Sequence, residues 1–241
     1  MATIKTIMCI VITIIALICI IPISIPYFIV SLIGLKHIKS VLPYKFAQFW
    51  AKTVIALSGC SMTVTGMEMI PKKGSVCFVS NHVGIFDIIL ALAYTGRPFG
   101  FIAKKELLLL PGINLWILFL GGLFIDRKKP RKALKTINSG IQRIKSGGSM
   151  LIFPEGTRSR GKELGPFHPG SLKLATQSEA IIVPMAINGS YEVFEKTYRV
   201  NAAPVSVRFL NPVYTAEMIL QDRKTFLADK LRTSIAETLE Q

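Results

Sequence analysis

Residues 6–35 form a run of thirty residues without a charged side chain, and no other feature limits the fold as strongly. Such an apolar run has to be buried in protein or in lipid. Thirty helical residues would measure about 45 Å, which exceeds a hydrocarbon core of about 30 Å. Pro22 and Pro26 are expected to break such a helix. We therefore predict a helix–turn–helix that dips into one leaflet, with a kinked single span as the alternative.

Basic residues flank the uncharged run, with Lys5 before it and Lys36, His37 and Lys39 after it. Basic flanks favour the cytoplasmic side of a membrane, so both ends are expected there, at the cytoplasmic face of a bacterial inner membrane. A secretory signal peptide fits less well, because no A-x-A-like cleavage site closes the run.

The whole chain is basic, with a net charge of +15 at pH 7. Basic chains bind nucleic acid, anionic lipid or anionic substrates. The apolar N-terminus favours lipid, and the sequence has no zinc-finger pattern or basic heptad zipper that would favour nucleic acid. We therefore predict anionic membrane lipids as partners and no nucleic acid.

From about residue 61 onward, apolar segments with strand and helix patterns alternate. Strands are predicted at 62–69, 75–79, 99–103, 122–126, 149–153, 181–187 and 205–210. Helices are predicted at 43–58, 88–94, 112–120, 130–145, 169–178 and 226–239, with a short one starting at 104–107. This alternation predicts an α/β fold, with a mostly parallel sheet flanked by helices and an N-terminal apolar, membrane-associated helical element. The expected division is residues 1–60 for the membrane-associated helices and 61–241 for the α/β domain.

His82 and Asp87 lie five residues apart, between an apolar strand pattern and an apolar helical run. On a regular helix their side chains would point about 140° apart. They can meet if His82 lies on the turn that leaves the strand and Asp87 lies in the first turn of the helix. Gly84 would ease such a turn by tolerating a positive φ. A histidine held by a carboxylate is a general base; the alternative is a structural histidine beside a helix-capping aspartate.

Several cations follow other predicted strands, where ligand sites of parallel sheets lie. Arg127 and Arg158 carry planar donor forks that suit phosphate, and Lys104 and Lys105 add point charges. Gly156 would let the backbone approach a ligand closely. The chain has no G-x-S-x-G nucleophile motif, so covalent catalysis is not indicated. Together these residues suggest proton abstraction from a hydroxyl group on a phosphorylated lipid.

The cysteines and histidines indicate neither a disulfide framework nor a metal site. The four cysteines include no C-x-x-C pair, and the three histidines are scattered along the chain. This pattern fits a reducing compartment.

Four stretches, in order, resemble the glycerolipid acyltransferase family of 1-acylglycerol-3-phosphate acyltransferases. Residues 81–87 match the family's N-H-x4-D motif, and residues 122–127 resemble its G-x-F-I-D-R motif. Residues 153–159 read F-P-E-G-T-R-S, and residues 182–186 match a motif of V-P followed by apolar residues. The H-x4-D pattern alone is weak evidence, but together with F-P-E-G-T-R-S it is specific.

The resemblance implies that His82 is the general base that deprotonates the sn-2 hydroxyl of lysophosphatidic acid, with Asp87 holding it. The alkoxide would attack the thioester of an acyl-CoA or acyl-carrier protein directly, forming phosphatidic acid for phospholipid synthesis without a cofactor. It also assigns acceptor binding to six residues: Lys104, Arg127, Glu155, Gly156, Thr157 and Arg158.

Two positions depart from the family pattern, because many members have Ser at Gly84 and often Lys or Arg at His168. Three alternatives stay open. The acceptor could be glycerol 3-phosphate or a lyso-aminolipid, His82 could activate water in a lipid hydrolase, or the chain could bind lipid without catalysis.

Overall fold

A computed structural model of the chain describes residues 1–32, 36–161, 163–218 and 226–240. Its strands are β1 Ser61–Thr65, β2 Val76–Ser80, β3 Gly100–Lys104, β4 Leu123–Ile125, β5 Met150–Ile152, β6 Ile181–Asn188, β7 Pro204–Phe209 and β8 Val213–Tyr214. They form one sheet in the order β1-β7-β6-β2-β5-β3-β4, with β8 paired to β6. The pairs are parallel except β6–β7 and β6–β8. The predicted mostly parallel α/β fold is therefore confirmed.

Helices cover both faces of the sheet. They are α1 Ala2–Leu32, α2 Lys36–Ser58, α3 Phe86–Tyr94, α4 Ile113–Phe119, α5 Pro130–Lys145, α6 Lys173–Thr176, α7 Ser190–Val193 and α8 Leu227–Leu239. Along β2, Val76 and Phe78 pack with α2 and α3, whereas Cys77 and Val79 pack with α5 and α8. Side chains alternate between the two faces of a strand, so both sides of β2 are buried, as in other covered parallel sheets.

Most predicted elements of the sheet region are present, with differences at their ends. Helix α5 has the predicted bounds. The strand predicted at 62–69 ends at Thr65, because Gly66 takes a φ of 76° and starts a 3₁₀ turn over Met67–Met69. The helix predicted at 169–178 is reduced to the single turn of α6.

The prediction that Pro22 and Pro26 break the N-terminal helix is wrong, because both lie inside α1. A proline removes one backbone donor and favours a kink, but it does not force a helix to end. Helix α2 also starts seven residues before the predicted position and contains Pro43. Residues 33–35, which end the uncharged run, and the side chains of Lys36, His37 and Lys39 lie outside the described residues.

The two N-terminal helices form an antiparallel pair that is tied to the sheet region. Near the start of α1, the Lys5 ammonium donates to the carbonyl of Ser58 at the end of α2, at 2.8 Å. The Val200 backbone N–H donates to the Thr6 hydroxyl at 2.8 Å. The stretch Ala2–Cys19 is long and apolar enough to cross a membrane, and most of it is not buried against the rest of the protein. The length and composition of this helix agree with the predicted membrane association.

Candidate active site

His82 lies in the turn between β2 and α3, at the edge where the parallel strands end. Strands β5 and β6 pair with β2 in parallel, and β3 pairs with β5 in parallel. The carboxyl ends of all four strands therefore lie at this edge. Arg127 follows β4 at the same edge, and Glu155 follows β5. The predicted site residues are therefore brought together, as expected for ligand sites of parallel sheets.

The imidazole of His82 is held by Asp87 and by an aromatic ring. Its Nδ1 lies 2.8 Å from Oδ2 of Asp87, a carboxylate that is fully buried. The ring stacks on Phe153, with centroids 4.0 Å apart and planes 17° from parallel. Within the described part of the chain, Nε2 of His82 has no hydrogen-bond partner, and the side chain lines a cavity. This arrangement leaves Nε2 free to accept a proton from a ligand.

Asp87 also holds the backbone of the turn. Its Oδ2 accepts the N–H groups of Val83 at 2.7 Å and Gly84 at 2.9 Å. Its Oδ1 accepts the hydroxyl of Ser190 at 2.6 Å. The aspartate therefore satisfies two backbone N–H groups of the turn before α3 and contacts the imidazole with the same oxygen.

Glu155 binds backbone rather than another side chain. Its Oε1 accepts the His82 N–H at 2.6 Å, and its Oε2 accepts the Gly165 N–H at 3.0 Å. Burial raises the pKa of this carboxyl, and the two N–H groups partly oppose that rise by stabilising the charged form. Glu155 therefore joins the His82 turn to the loop that contains Gly165.

Glu195 completes the support of the turn, and the sequence did not single it out. Both of its carboxylate oxygens accept the Ile85 N–H, at 3.0 and 3.1 Å, and Oε1 also pairs with the Arg158 guanidinium at 2.6 Å. A Cβ on Gly84 would lie 2.6 Å from Oε2 of Glu195. Gly84 does not take a positive φ, so the predicted reason for this glycine is wrong. The glycine leaves room for the buried carboxylate.

Sequence analysis also missed two residues that support the site, Asn81 and Ser190. Each of them bonds a residue more than a hundred positions away in the sequence. The Asn81 amide exchanges hydrogen bonds with the backbone of Ile187 at 2.8 and 2.9 Å, which extends the pairing of β2 with β6. Ser190, which bonds Asp87, opens helix α7 just after β6. Asn81 belongs to the first motif, but no local pattern marks Ser190 or Glu195.

A cavity of about 1190 Å³ opens beside His82. Four exposed cations line it: Lys104, Arg127, Arg158 and Arg160. We call Lys104, Arg127 and Arg158 the cationic rim. Thr157 and Gly156 lie between them in sequence and also line the cavity. The Arg127 guanidinium donates to the Gly156 carbonyl, which joins the second and third motifs.

Lys105 and His168 have different surroundings from the cationic rim. The Lys105 ammonium pairs with Asp126 at 2.9 Å, which raises the pKa of the lysine and lowers that of the aspartate. His168 is exposed and lines the cavity. Among the described residues, no group of three or more His, Cys, Asp or Glu side chains is placed to hold a metal ion. Burial raises the pKa of the Cys77 thiol to about 12, so this cysteine is not a reactive nucleophile.

Comparison with known proteins identifies the family. The sequence profile of the family described as Acyltransferase matches residues 61–188. The 1-acyl-sn-glycerol-3-phosphate acyltransferase of Borreliella burgdorferi is 30% identical over 189 residues, which cover 78% of this chain and 76% of that protein. The chain belongs to the acyltransferase family. Because its relatives are O-acyltransferases by name, this acyltransferase is an O-acyltransferase, and the predicted resemblance is confirmed.

Other relatives of this acyltransferase extend the match. The Saccharomyces cerevisiae protein named 1-acyl-sn-glycerol-3-phosphate acyltransferase is 31% identical over 219 residues, covering 88% of this chain and 69% of that protein. The crystal structure of the 1-acyl-sn-glycerophosphate (LPA) acyltransferase PlsC from Thermotoga maritima superposes with a TM-score of 0.81. It is 24% identical and covers 100% of this chain and 97% of that one, so it shows that the fold is shared.

Proposed function

We propose that this acyltransferase moves a fatty acyl group from acyl-CoA or acyl-carrier protein to the sn-2 hydroxyl of 1-acyl-sn-glycerol 3-phosphate. The product would be phosphatidic acid, a precursor of phospholipids. The observation that carries the proposal is the 2.8 Å contact between His82 Nδ1 and Asp87, with the ring lining the cavity. The names of the two curated relatives support the choice of acceptor.

In the proposed mechanism His82 is the general base and Asp87 orients it. Nε2 removes the proton of the sn-2 hydroxyl while that oxygen attacks the thioester carbonyl carbon. Asp87 stabilises the imidazolium that forms. The tetrahedral intermediate collapses, the carbon–sulfur bond breaks, and the imidazolium returns its proton to the departing thiolate. The reaction exchanges a thioester for an oxygen ester, and the mechanism needs no cofactor.

We assign acceptor binding to the cationic rim and the third motif. Lys104, Arg127 and Arg158 would contact the phosphate, because all three are exposed cations on the wall of the cavity. Gly156 and Thr157 would approach the same group from the third motif. Glu155 would act through the backbone that it holds, because both of its oxygens already accept N–H groups.

The acyl chain of one substrate would occupy the apolar part of the cavity. Its wall includes Ile88, Phe101, Leu107 and Leu151. Apolar walls with few polar groups are typical of sites that bind lipid-like ligands.

The test is to incubate the detergent-purified protein with labelled acyl-CoA, labelled acyl-carrier protein and a panel of lysolipids. We expect ester formation with 1-acyl-sn-glycerol 3-phosphate and a much lower rate with glycerol 3-phosphate or a lyso-aminolipid. Release of free fatty acid at the same rate without any acceptor would instead show a lipid hydrolase. A protein that binds lysolipid but forms no product with any donor would contradict the proposal.

We also propose that residues 1–60 hold the 61–241 domain at the cytoplasmic face of a bacterial inner membrane, with anionic lipids as neighbours. The tie between Lys5 and Ser58 supports an N-terminus on the same side as the domain. Tags at residues 1 and 241 should therefore show the same protease accessibility in sealed vesicles. Accessibility from opposite faces would show a true span and would contradict this topology, without affecting the acyltransferase assignment.

A further inference from the structure

A second apolar surface lies beside α1, on the segment that follows β3. It consists of five exposed leucines, which we call the leucine patch: Leu108, Leu109, Leu110, Leu115 and Leu118. Leu109 is 82% exposed at the end of a 3₁₀ turn, and Leu115 and Leu118 share one face of α4. Single exposed leucines are common on protein surfaces, but five in eleven residues form a patch that needs a partner.

The leucine patch is joined directly to α1. The Trp116 indole N–H donates to the carbonyl of Ala16 at 3.2 Å. A Cβ on Gly112 would lie 3.1 Å from the Leu17 side chain, so α1 touches the backbone between the two parts of the patch. The side of α1 turned away from the protein is also apolar, with Ile7, Val11 and Ile14 about half exposed. The leucine patch therefore lies beside a helix whose own exposed side is apolar.

We propose that the leucine patch is a second membrane contact, which enters the same lipid leaflet as α1. The proposal rests on the membrane association proposed for α1. A lipid surface is the occupant that fits, because the patch adjoins a helix that has no charged residue after Lys5. Apolar side chains on a short turn and a helix face lie in the interface of a membrane in the same way as amphipathic helices do.

The position of the patch gives it a role in substrate access. It starts one residue after Leu107, which lines the cavity together with Lys104 and Glu106. With Leu108–Leu110 in lipid, Leu107 lies at the membrane surface. An acyl chain then passes from the bilayer into the cavity without crossing water, while the cationic rim remains within reach of the phosphate.

The test uses full-chain proteins with one accessible cysteine, in vesicles of phosphatidylcholine and phosphatidylglycerol; the buried Cys9 and Cys77 are kept. Cys19 and Cys60, the two cysteines that are not buried, are first replaced by alanine. An environment-sensitive fluorophore is then attached at Leu109→Cys, at Ile14→Cys on α1 and at Tyr214→Cys. Tyr214 is the control, because it is 46% exposed, close to the 50% of Ile14, and pairs with Ile181 at the start of β6, at the opposite ends of the strands.

We expect nitroxide-labelled lipid to quench the probes at positions 14 and 109 but not the probe at 214. Quenching at 14 without quenching at 109 would overturn the leucine-patch proposal and leave the α1 anchor intact. Absence of quenching at both positions would overturn both. A probe at 109 that is shielded from water but not quenched by lipid would indicate a protein partner or a second copy, and would also contradict the proposal.

A second measurement follows vesicle binding and activity. Leu109→Ser should weaken partitioning of the full chain into these vesicles by about tenfold, since a leucine side chain leaves the lipid. Tyr214→Ser should leave it unchanged. Activity of the Leu109→Ser protein should fall more on bilayer-embedded lysolipid than on a short-chain, water-soluble analogue, and equal loss on both would contradict the access role.

Discussion

The His82 turn, residues 82–85, and the cationic rim line the same cavity but are supported very differently. In the turn, every backbone N–H from His82 to Ile85 is bound by a buried carboxylate. The cations of the rim are exposed. Arg127 donates one hydrogen bond to a backbone carbonyl, and Arg158 donates one to Glu195. Proton transfer requires a fixed geometry, whereas long exposed side chains can adjust to a phosphate. Changes in the turn should therefore lower kcat, and changes in the rim should raise the acceptor KM.

The largest effect in this comparison is expected for Asp87→Asn. The asparagine oxygen can still accept the turn N–H groups, and its amide can donate to the Ser190 hydroxyl, so the fold should persist. The negative charge beside the imidazolium is lost, and kcat should fall by about 10²- to 10⁴-fold. Steady-state kinetics and a melting curve check this. Ser190→Ala keeps the charge and should cost far less; an Asp87→Asn enzyme with nearly normal kcat would show that the carboxylate only holds the backbone of the turn.

A smaller effect on kcat is expected for Gly84→Ala. The new methyl group displaces Glu195, whose carboxylate is fixed by Ile85 and Arg158. An unsatisfied Ile85 N–H costs about 1–3 kcal/mol, so both stability and kcat should fall. Gly170→Ala is the matched control, because a Cβ on Gly170 would meet nothing within 4 Å. If thermal unfolding and kcat of the two variants agree, Glu195 does not restrain the turn.

Arg158→Lys tests the boundary between the two regions, because Arg158 lines the cavity and pairs with Glu195. Lysine can keep the ion pair but loses the fork, so the acceptor KM should rise by roughly tenfold and the donor KM should change less. The KM of each substrate is measured separately. A fall in kcat with both KM values unchanged would place Arg158 with the turn instead of the rim.

The smallest effect is expected for Lys104→Ala, a single point charge on the rim. The acceptor KM should rise a few-fold at low salt and less at high salt, because ions screen an exposed charge. Lys105→Ala is the control on the adjacent residue, since Lys105 is paired with Asp126. Equal effects of the two substitutions on the acceptor KM would remove Lys104 from the proposed phosphate site.

Much of the fold and part of the site could be predicted because their signals are local. The alternation of strand and helix patterns locates the sheet, and the pattern of α5 gives its exact bounds. The position of His82 and Asp87 between a strand pattern and a helical pattern showed how they could meet, and in the structure they do. Parallel strands then bring the loops that follow them to one edge.

The remaining features depend on contacts between distant parts of the chain. Glu195 and Ser190 reach the turn from positions more than a hundred residues away, and no local spacing marks them. Gly84 is needed because the Glu195 carboxylate lies where a Cβ would be. From the sequence alone, this reason for a glycine could not be distinguished from the need for a positive φ. Likewise, Pro22 and Pro26 predict a helix end by propensity alone, whereas α1 continues through both of them.

The central claim is that His82 is the base that activates the acceptor hydroxyl, and the most direct test is the turnover number of His82→Ala. Asp87 keeps its bonds to Val83, Gly84 and Ser190 in this variant, so the turn should remain folded. His168→Ala removes the other histidine of the cavity and is the matched control. The account predicts that kcat of His82→Ala falls by about 10²- to 10⁴-fold with an unchanged melting temperature, while His168→Ala keeps most of its turnover. A folded His82→Ala enzyme with nearly normal kcat would contradict it.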